Sequence, residues 1–212
     1  MLIDARRLKE LIEKYSISVN GILHVGAHEC EEKADYNTVL HISDQDIIWV
    51  DANKTLTDQN IRRGIPNCYT AALDETEQML TFNITNNGQS SSLLELGTHK
   101  SMYPHIHVTE KRTVRTQTLE QFFERNVLDI SKYNLWNFDI QGSEYAVFKG
   151  SENLLKYADV IYTEVNTANV YEGCGRLDQL DMLLAKHGLK RIETCMYGND
   201  NWGDAVYLRI NK

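Results

Sequence analysis

The chain reads as an α/β protein: a mostly parallel sheet with helices on both faces and one antiparallel strand at the C-terminal end. Three observations predict this. Short apolar runs alternate with amphipathic helical stretches from Gly21 to Leu184, the pattern of strand–helix–strand units. The first apolar run, Ile22-Leu23-His24-Val25, ends in a small-residue turn, Gly26-Ala27, and passes into a helix-like stretch. The last two apolar runs are joined only by a short Gly/Asn-rich link, Met196 to Asp204, which reads as a hairpin and so reverses one strand.

Taken in order, Asp4 to Tyr15 places Leu8, Leu11, Ile12 and Tyr15 at helical spacing. This is an N-terminal helical extension over residues 1–18, expected to pack on the sheet edge. Val19 to Val25 is the first strand. Glu29 to His41 reads as a helix whose acidic start, Glu29, Glu31 and Glu32, either suits the positive end of a helix dipole or offers a carboxylate to a ribose hydroxyl or an ammonium group. Ile47 to Val50 is the second strand, ending in Asp51, and Lys54 to Arg63 is a helix stopped at Gly64. Asn67 to Ala72 and Gln78 to Ile84 read as two further strands. Asn86 to Ser92 is a polar loop containing Gly88, either a surface connection or a cover over a ligand.

Val108 to Thr118 alternates and fits an exposed strand. Thr118 to Arg125 begins a helix with Leu119, Phe122 and Phe123 inward. Tyr133 to Phe138 is a strand ending in Asp139, followed by Gly142 and a helix from Ser143 to Gly150. Asp159 to Tyr162 is a strand leading to Glu164. Leu177 to His187 is a helix closed by Gly188. Leu189–Thr194 and Ala205–Ile210 form the closing pair.

The 212 residues suit one domain, 1–212, with a full core. A hydrophobic fraction of 42% and only two prolines exclude a disordered chain. A net charge of −8 argues against nucleic acid or an anionic membrane as the main partner. The cluster Lys111, Arg112, Arg115 is too small to overturn that. No apolar run reaches membrane-span length and no secretory signal opens the sequence, so a cytoplasmic protein is expected. Cys30, Cys68, Cys174 and Cys195 are scattered without a CxxC pair and are expected to be free thiols.

Asp51, Asp139 and Glu164 each follow a strand, and parallel strands would bring all three to the rim that carries Gly26. Ligands of such sheets bind beyond the carboxyl ends of the strands. Asp51 lies 25 residues after Gly26, where a carboxylate accepts hydrogen bonds from both hydroxyls of an adenosine ribose. That spacing suits a dinucleotide or S-adenosylmethionine. The three-glycine cradle for a pyrophosphate is missing, since Ala27, His28 and Cys30 fill the neighbouring positions, which favours the cofactor without phosphates.

At these residues the chain resembles the FkbM-type S-adenosylmethionine-dependent methyltransferases. The matching segments are His24-Val25-Gly26-Ala27-His28, Val50-Asp51-Ala52, Ala71-Ala72-Leu73, Thr118-Leu119-Glu120, Phe138 to Glu144 (Phe-Asp-Ile-Gln-Gly-Ser-Glu), Phe148-Lys149-Gly150 and Ile161-Tyr162-Thr163-Glu164. The resemblance covers about Gly21 to Asn166. It implies a Rossmann-like, seven-stranded class I methyltransferase fold and O-methylation of a hydroxyl, often on a sugar or secondary metabolite.

It also implies a donor site at Val25, Gly26, Ala27, His28, Glu29, Asp51, Ala52, Ala72 and Asp139. His24 departs from the acidic residue common before the first motif, so His28, Glu29 or Asp139 is left to hold the donor's ammonium. Asp139 is the first choice for the base that removes the hydroxyl proton, His28 the second, and Glu164 orients the acceptor. Glu144 either positions substrate or caps its helix, and Ser91 and Ser92 are assigned to the acceptor side. A divalent cation on Asp139 and Glu164 is an alternative that no ligand spacing demands. His99, His105 and His107 read as surface loop residues or lining of the acceptor pocket. Two other functions fit the same sheet: a nicotinamide-dependent oxidoreductase, and a nucleoside-binding module without catalysis.

Overall fold

The computed structural model describes residues 1–210. Four parallel strands come first in chain order within the main layer: β1 (Ile22–Val25), β2 (Ile47–Asp51), β3 (Cys68–Thr70) and, much later, β7 (Leu135–Phe138). Between β3 and β7 the chain makes a second sheet from β4 (Ala72–Leu73), β5 (Met79–Thr85) and β6 (Val108–Gln117). The main sheet is completed by β8 (Val160–Asn166), β9 (Leu189–Met196) and β10 (Trp202–Arg209). Its order is β3-β2-β1-β7-β8-β10-β9, with β10 antiparallel to both neighbours. The predicted architecture is therefore the observed one, a seven-stranded, mostly parallel sheet with a reversed strand from the C-terminal hairpin.

The central strands β1, β2, β7 and β8 are buried along their whole length because both faces are covered. Successive side chains alternate between the faces. Leu23, Val25, Ile48, Val50, Trp136, Phe138 and Ile161 point to one side. There they meet α5 (Leu119–Arg125), α6 (Glu144–Lys149) and α7 (Leu177–Lys186) through residues such as Phe122, Phe148 and Leu184. Ile22, Ile47, Trp49, Leu135, Val160 and Val206 point to the other side, onto α1 (Ala5–Lys14) and Tyr36 of α2 (Lys33–Thr38). Asp4 caps α1 by accepting from the Arg7 N–H at 2.8 Å. Thr118 and Gln121 form a reciprocal capping box on α5. Asn53 caps α3 (Lys54–Arg62).

Four expectations need correction. Helix α1 packs on a face of the sheet rather than its edge, because Leu8, Leu11 and Ile12 form a stripe wide enough to cover Ile22 and Val160. The second helix is cut to Lys33–Thr38. His28 and Cys30 have φ of 42° and 57°, which no right-handed helix accommodates. Side-chain bonds hold that bend: Asp51 accepts the His28 N–H at 2.8 Å and Asn60 donates to the His28 carbonyl at 2.8 Å. The run Asn67 to Ala72 splits between two sheets, with Ala71 as the joint. Finally, β8 continues past Tyr162 to Asn166, so Glu164 lies inside a strand.

Candidate active site

Two adjoining cavities open at the carboxyl ends of β1, β2, β7 and β8. The smaller, about 60 Å³, lies between Val25, Gly26, Asp51, Ala52, Ala72 and the loop bearing Gly88 and Ser91. The larger, about 510 Å³, extends over β7, β8 and β10. Gly26, His28, Gln89, Asp139 and Gln141 line both, so the cavities meet where β1 and β7 end.

Gly26 has φ +88°, and a Cβ there would sit 1.7 Å from the Asp139 carbonyl oxygen. The missing side chain therefore makes room for the neighbouring strand end, not for a ligand as the sequence suggested. The Gly26 and Ala27 N–H groups both donate to the Val50 carbonyl, at 2.9 and 3.0 Å. This ties the turn to β2 and brings it beside Asp51.

Asp51 is 9% exposed. One of its oxygens accepts the Asn53 N–H at 2.7 Å, the other the His28 N–H at 2.8 Å. Burial raises its pKa, and those two N–H bonds oppose the rise. Each carboxylate oxygen keeps a further lone pair that can face the smaller cavity. That pair of acceptors suits a vicinal diol.

At the junction, one Gln141 side chain ties the acids together. Its amide N–H donates to Asp139 and, at 2.7 Å, to Glu164, while its carbonyl oxygen accepts from the Tyr171 hydroxyl. Asp139 opens to the cavity but protein surrounds it; burial first, then repulsion from Asp204, pushes its pKa up to about 6. Burial, then Asp139, Glu144 and Asp204, raises Glu164 well above the usual carboxylate range. Asp204 faces Glu164 across the antiparallel pair and accepts from the Tyr162 hydroxyl.

Beneath this row lie His24, Asn137 and Tyr162, in register across β1, β7 and β8. The Tyr36 hydroxyl is 3.0 Å from His24 Nδ1 and accepts from the Asn137 amide at 2.6 Å. Burial lowers His24 to about 3, so it is neutral.

The assigned residues divide clearly. Val25, Asp51, Ala52, Ala72 and Ser91 line the smaller cavity, Glu164 the larger, and Gly26, His28 and Asp139 both. Ala27 does not line either; it is buried among Ile22, Cys30 and Tyr36. Glu29 is exposed and turned away, because the bend at His28 and Cys30 sends Glu31 and Glu32 to the cavity instead. Glu144 is buried, and one oxygen accepts from the Ile140 and Gly142 N–H groups at 2.8 and 3.2 Å. Ser92 donates to the Gln141 carbonyl at 2.8 Å. These last two side chains shape the loop after β7 and do not reach the cavities.

His28 Nδ1 is 2.7 Å from Glu31, which raises the imidazole pKa. His99 lines the larger cavity, while His105 and His107 are exposed. Among the described residues no group of three His, Cys, Asp or Glu is placed to hold a metal ion, and all four cysteines are free. No helix among them is long and apolar enough to cross a membrane. Sequence reasoning gave no role to Asp204, Gln141 or Asn137, and it set Glu32 at a helix start. Gln141 lay inside a quoted motif, and Asp204 was detectable only once the hairpin register was known.

No curated protein matches the chain in sequence. Among solved structures, an FkbM methyltransferase from Methylobacillus flagellatus KT is similar at 10% identity and a TM-score of 0.51, covering 90% of this chain and 43% of that one. A protein of Galdieria sulphuraria described as a candidate sarcosine dimethylglycine methyltransferase is similar at 8% identity and a TM-score of 0.51, covering 97% and 84%. At these identities the likeness is one of fold, and this chain spans less than half the length of the first. The profile of the methyltransferase FkbM domain matches residues 24–190. With the match running over most of its length, the chain belongs to the FkbM methyltransferase domain family.

Proposed function

We propose that the protein is an S-adenosylmethionine-dependent O-methyltransferase acting on a hydroxyl of a sugar or small metabolite. The observation that carries this is the meeting of the two cavities at Gly26 and Asp139, with the diol-suited Asp51 on one side and the Asp139–Gln141–Glu164 group on the other. The donor set fits the cofactor. Asp51 would hold the ribose hydroxyls, and Ala52 and Ala72 the flanks of the adenosine. The smaller cavity is narrow, and its outer wall is the loop carrying Gly88, Gln89 and Ser91. Cofactor entry therefore requires this loop to move outward.

When bound, S-adenosylmethionine supplies an electrophilic methyl group. The chain must align the acceptor oxygen and take its proton. Asp139 is the base, since its pKa near 6 leaves it mostly ionised at neutral pH. Gln141 fixes the carboxylate's direction, and Glu164 positions the acceptor. His28, paired with Glu31, is already inclined to hold a proton and serves to fix the loop at Gly88, where a Cβ would lie 2.9 Å from its Nε2.

Calorimetry with S-adenosylmethionine and with NAD, followed by transfer of labelled methyl to a panel of sugars, tests the proposal. Binding of the sulfonium cofactor with transfer to at least one hydroxyl supports it. Binding of NAD alone, or cofactor binding with no transfer to any acceptor, refutes it.

A further inference from the structure

We propose that the larger cavity selects a hydroxyl compound of sugar size that also carries a protonated amine, and rejects phosphorylated or carboxylated relatives. The inference takes from the proposed function only that this cavity holds the methyl acceptor.

Glu31, Glu32, Asp139, Glu164 and Asp204 all line the cavity; no Lys or Arg among the described residues does, and the Met1 ammonium, 4.0 Å from Glu32, is the fixed cation on its wall. Glu31 is answered by His28. Asp139, Glu164 and Asp204 form a row across the ends of β7, β8 and β10. Among the described residues none of these three makes an ion pair; their partners are the neutral donors Gln141, Asn166, Tyr162 and the Leu2 N–H. Five carboxylates outnumber the Met1 ammonium and the His28 imidazole on this wall, and such an excess attracts a cation and repels an anion. Asp139 stands at the junction with the smaller cavity, where the proposed function uses it as the base. Glu164 and Asp204 line only the larger cavity, so their oxygens are left for the acceptor, whose ammonium would hold them ionised.

A second, independent observation points the same way. Asn137 lines this cavity at 2% exposure, and its Oδ1 has no hydrogen-bond partner. Its amide N–H is committed to Tyr36. A buried amide oxygen without a donor is costly to leave unmade, and an ammonium group brings three donors and no acceptor. The rings of Tyr103, Tyr171 and Trp202 supply faces that suit a cation. The volume of about 510 Å³ accommodates a sugar-sized molecule.

The test is a ligand-observed NMR titration of the full chain with D-glucosamine, N-acetyl-D-glucosamine and D-glucuronate, with and without saturating S-adenosylhomocysteine. D-glucosamine is expected to bind at least about tenfold tighter than its acetylated twin, with glucuronate weakest. Glu164→Gln and Asp204→Asn should each reduce that preference to about twofold or less. Glu32→Gln, at the half-buried rim, gives a partial loss should the deeper variants fail to fold. Equal binding of the acetylated sugar, tighter binding of glucuronate, or no binding of glucosamine at about 50 mM overturns the inference. Absence of S-adenosylmethionine binding by calorimetry would instead remove the methyl-donor reading, and the cofactor-free titration would still report the amine preference.

Discussion

Replacing Gly26 by Ala tests the turn on which both cavities depend, and Gly64→Ala provides its control. Both glycines have positive φ, +88° and +79°. A side chain in that region costs about 1–2 kcal/mol, and both substitutions reduce unfolded-chain entropy alike. They differ in space. A Cβ at Gly64 meets nothing within 4 Å, whereas one at Gly26 would lie 1.7 Å from the Asp139 carbonyl oxygen, which is backbone and cannot swing aside. Forced repacking adds about 1–3 kcal/mol. Gly26→Ala should therefore lose about 1–3 kcal/mol more than Gly64→Ala, read from urea midpoints at a shared m-value. In thermal unfolding each kcal/mol is about 2–4 °C for a chain of this length. Gly26→Ala should also weaken S-adenosylmethionine binding, because the displaced carbonyl belongs to Asp139. Equal destabilisation by the two substitutions would refute the close approach of β1 and β7 on which the site is built.

Other outcomes follow from the same geometry. Asp139→Asn should lower methyl transfer at least about a hundredfold while leaving the unfolding midpoint at neutral pH at or above wild type, and the wild-type rate should rise with pH through about 6 as Asp139 ionises. Glu144→Ala should cost about 2–6 kcal/mol by orphaning the Ile140 and Gly142 N–H groups, with Glu144→Gln costing less than half of that in the same denaturation assay. Asp139 and Glu144 have folded pKa values above their unfolded ones, about 6 and about 8. Their contribution to stability is full below the ordinary carboxylate range and is lost as pH rises through those values, so the unfolding midpoint should fall between about pH 4 and pH 8. Tyr103→Phe removes the hydroxyl that links Asp200 and Trp202 above the larger cavity. It should raise the acceptor KM several-fold with little change in cofactor affinity by calorimetry.

The strand–helix rhythm was legible because the central strands β1, β2, β7 and β8 begin as short apolar runs between amphipathic helical stretches, and the closing hairpin was legible from its short polar link. The acids that follow strands did come to one rim, since parallel strands share an end. What escaped was decided by contacts distant in sequence. Asp51 captures the His28 N–H and bends the chain where periodicity continues a helix, which exchanges Glu29 for Glu31 and Glu32 at the cavity. β5 and β6 carry ordinary strand patterns, yet pair with each other and β4 outside the main sheet. Asp204 read as the tail of a link because its role depends on facing Glu164 across two chain segments 40 residues apart in number.

The reversed direction of β10 has a consequence for how such a scaffold can diversify. Running against its neighbours, β10 begins at the rim where they finish, so Trp202 and Asp204 enter the larger chamber from a short turn spanning residues 197–201. Lengthening or re-angling that turn would reshape one wall of this chamber while Gly26, Asp51 and Ala72 stayed in place at the opposite end. Appetite for new molecules can then evolve at the tail of the sheet, with the smaller cavity left untouched at its head.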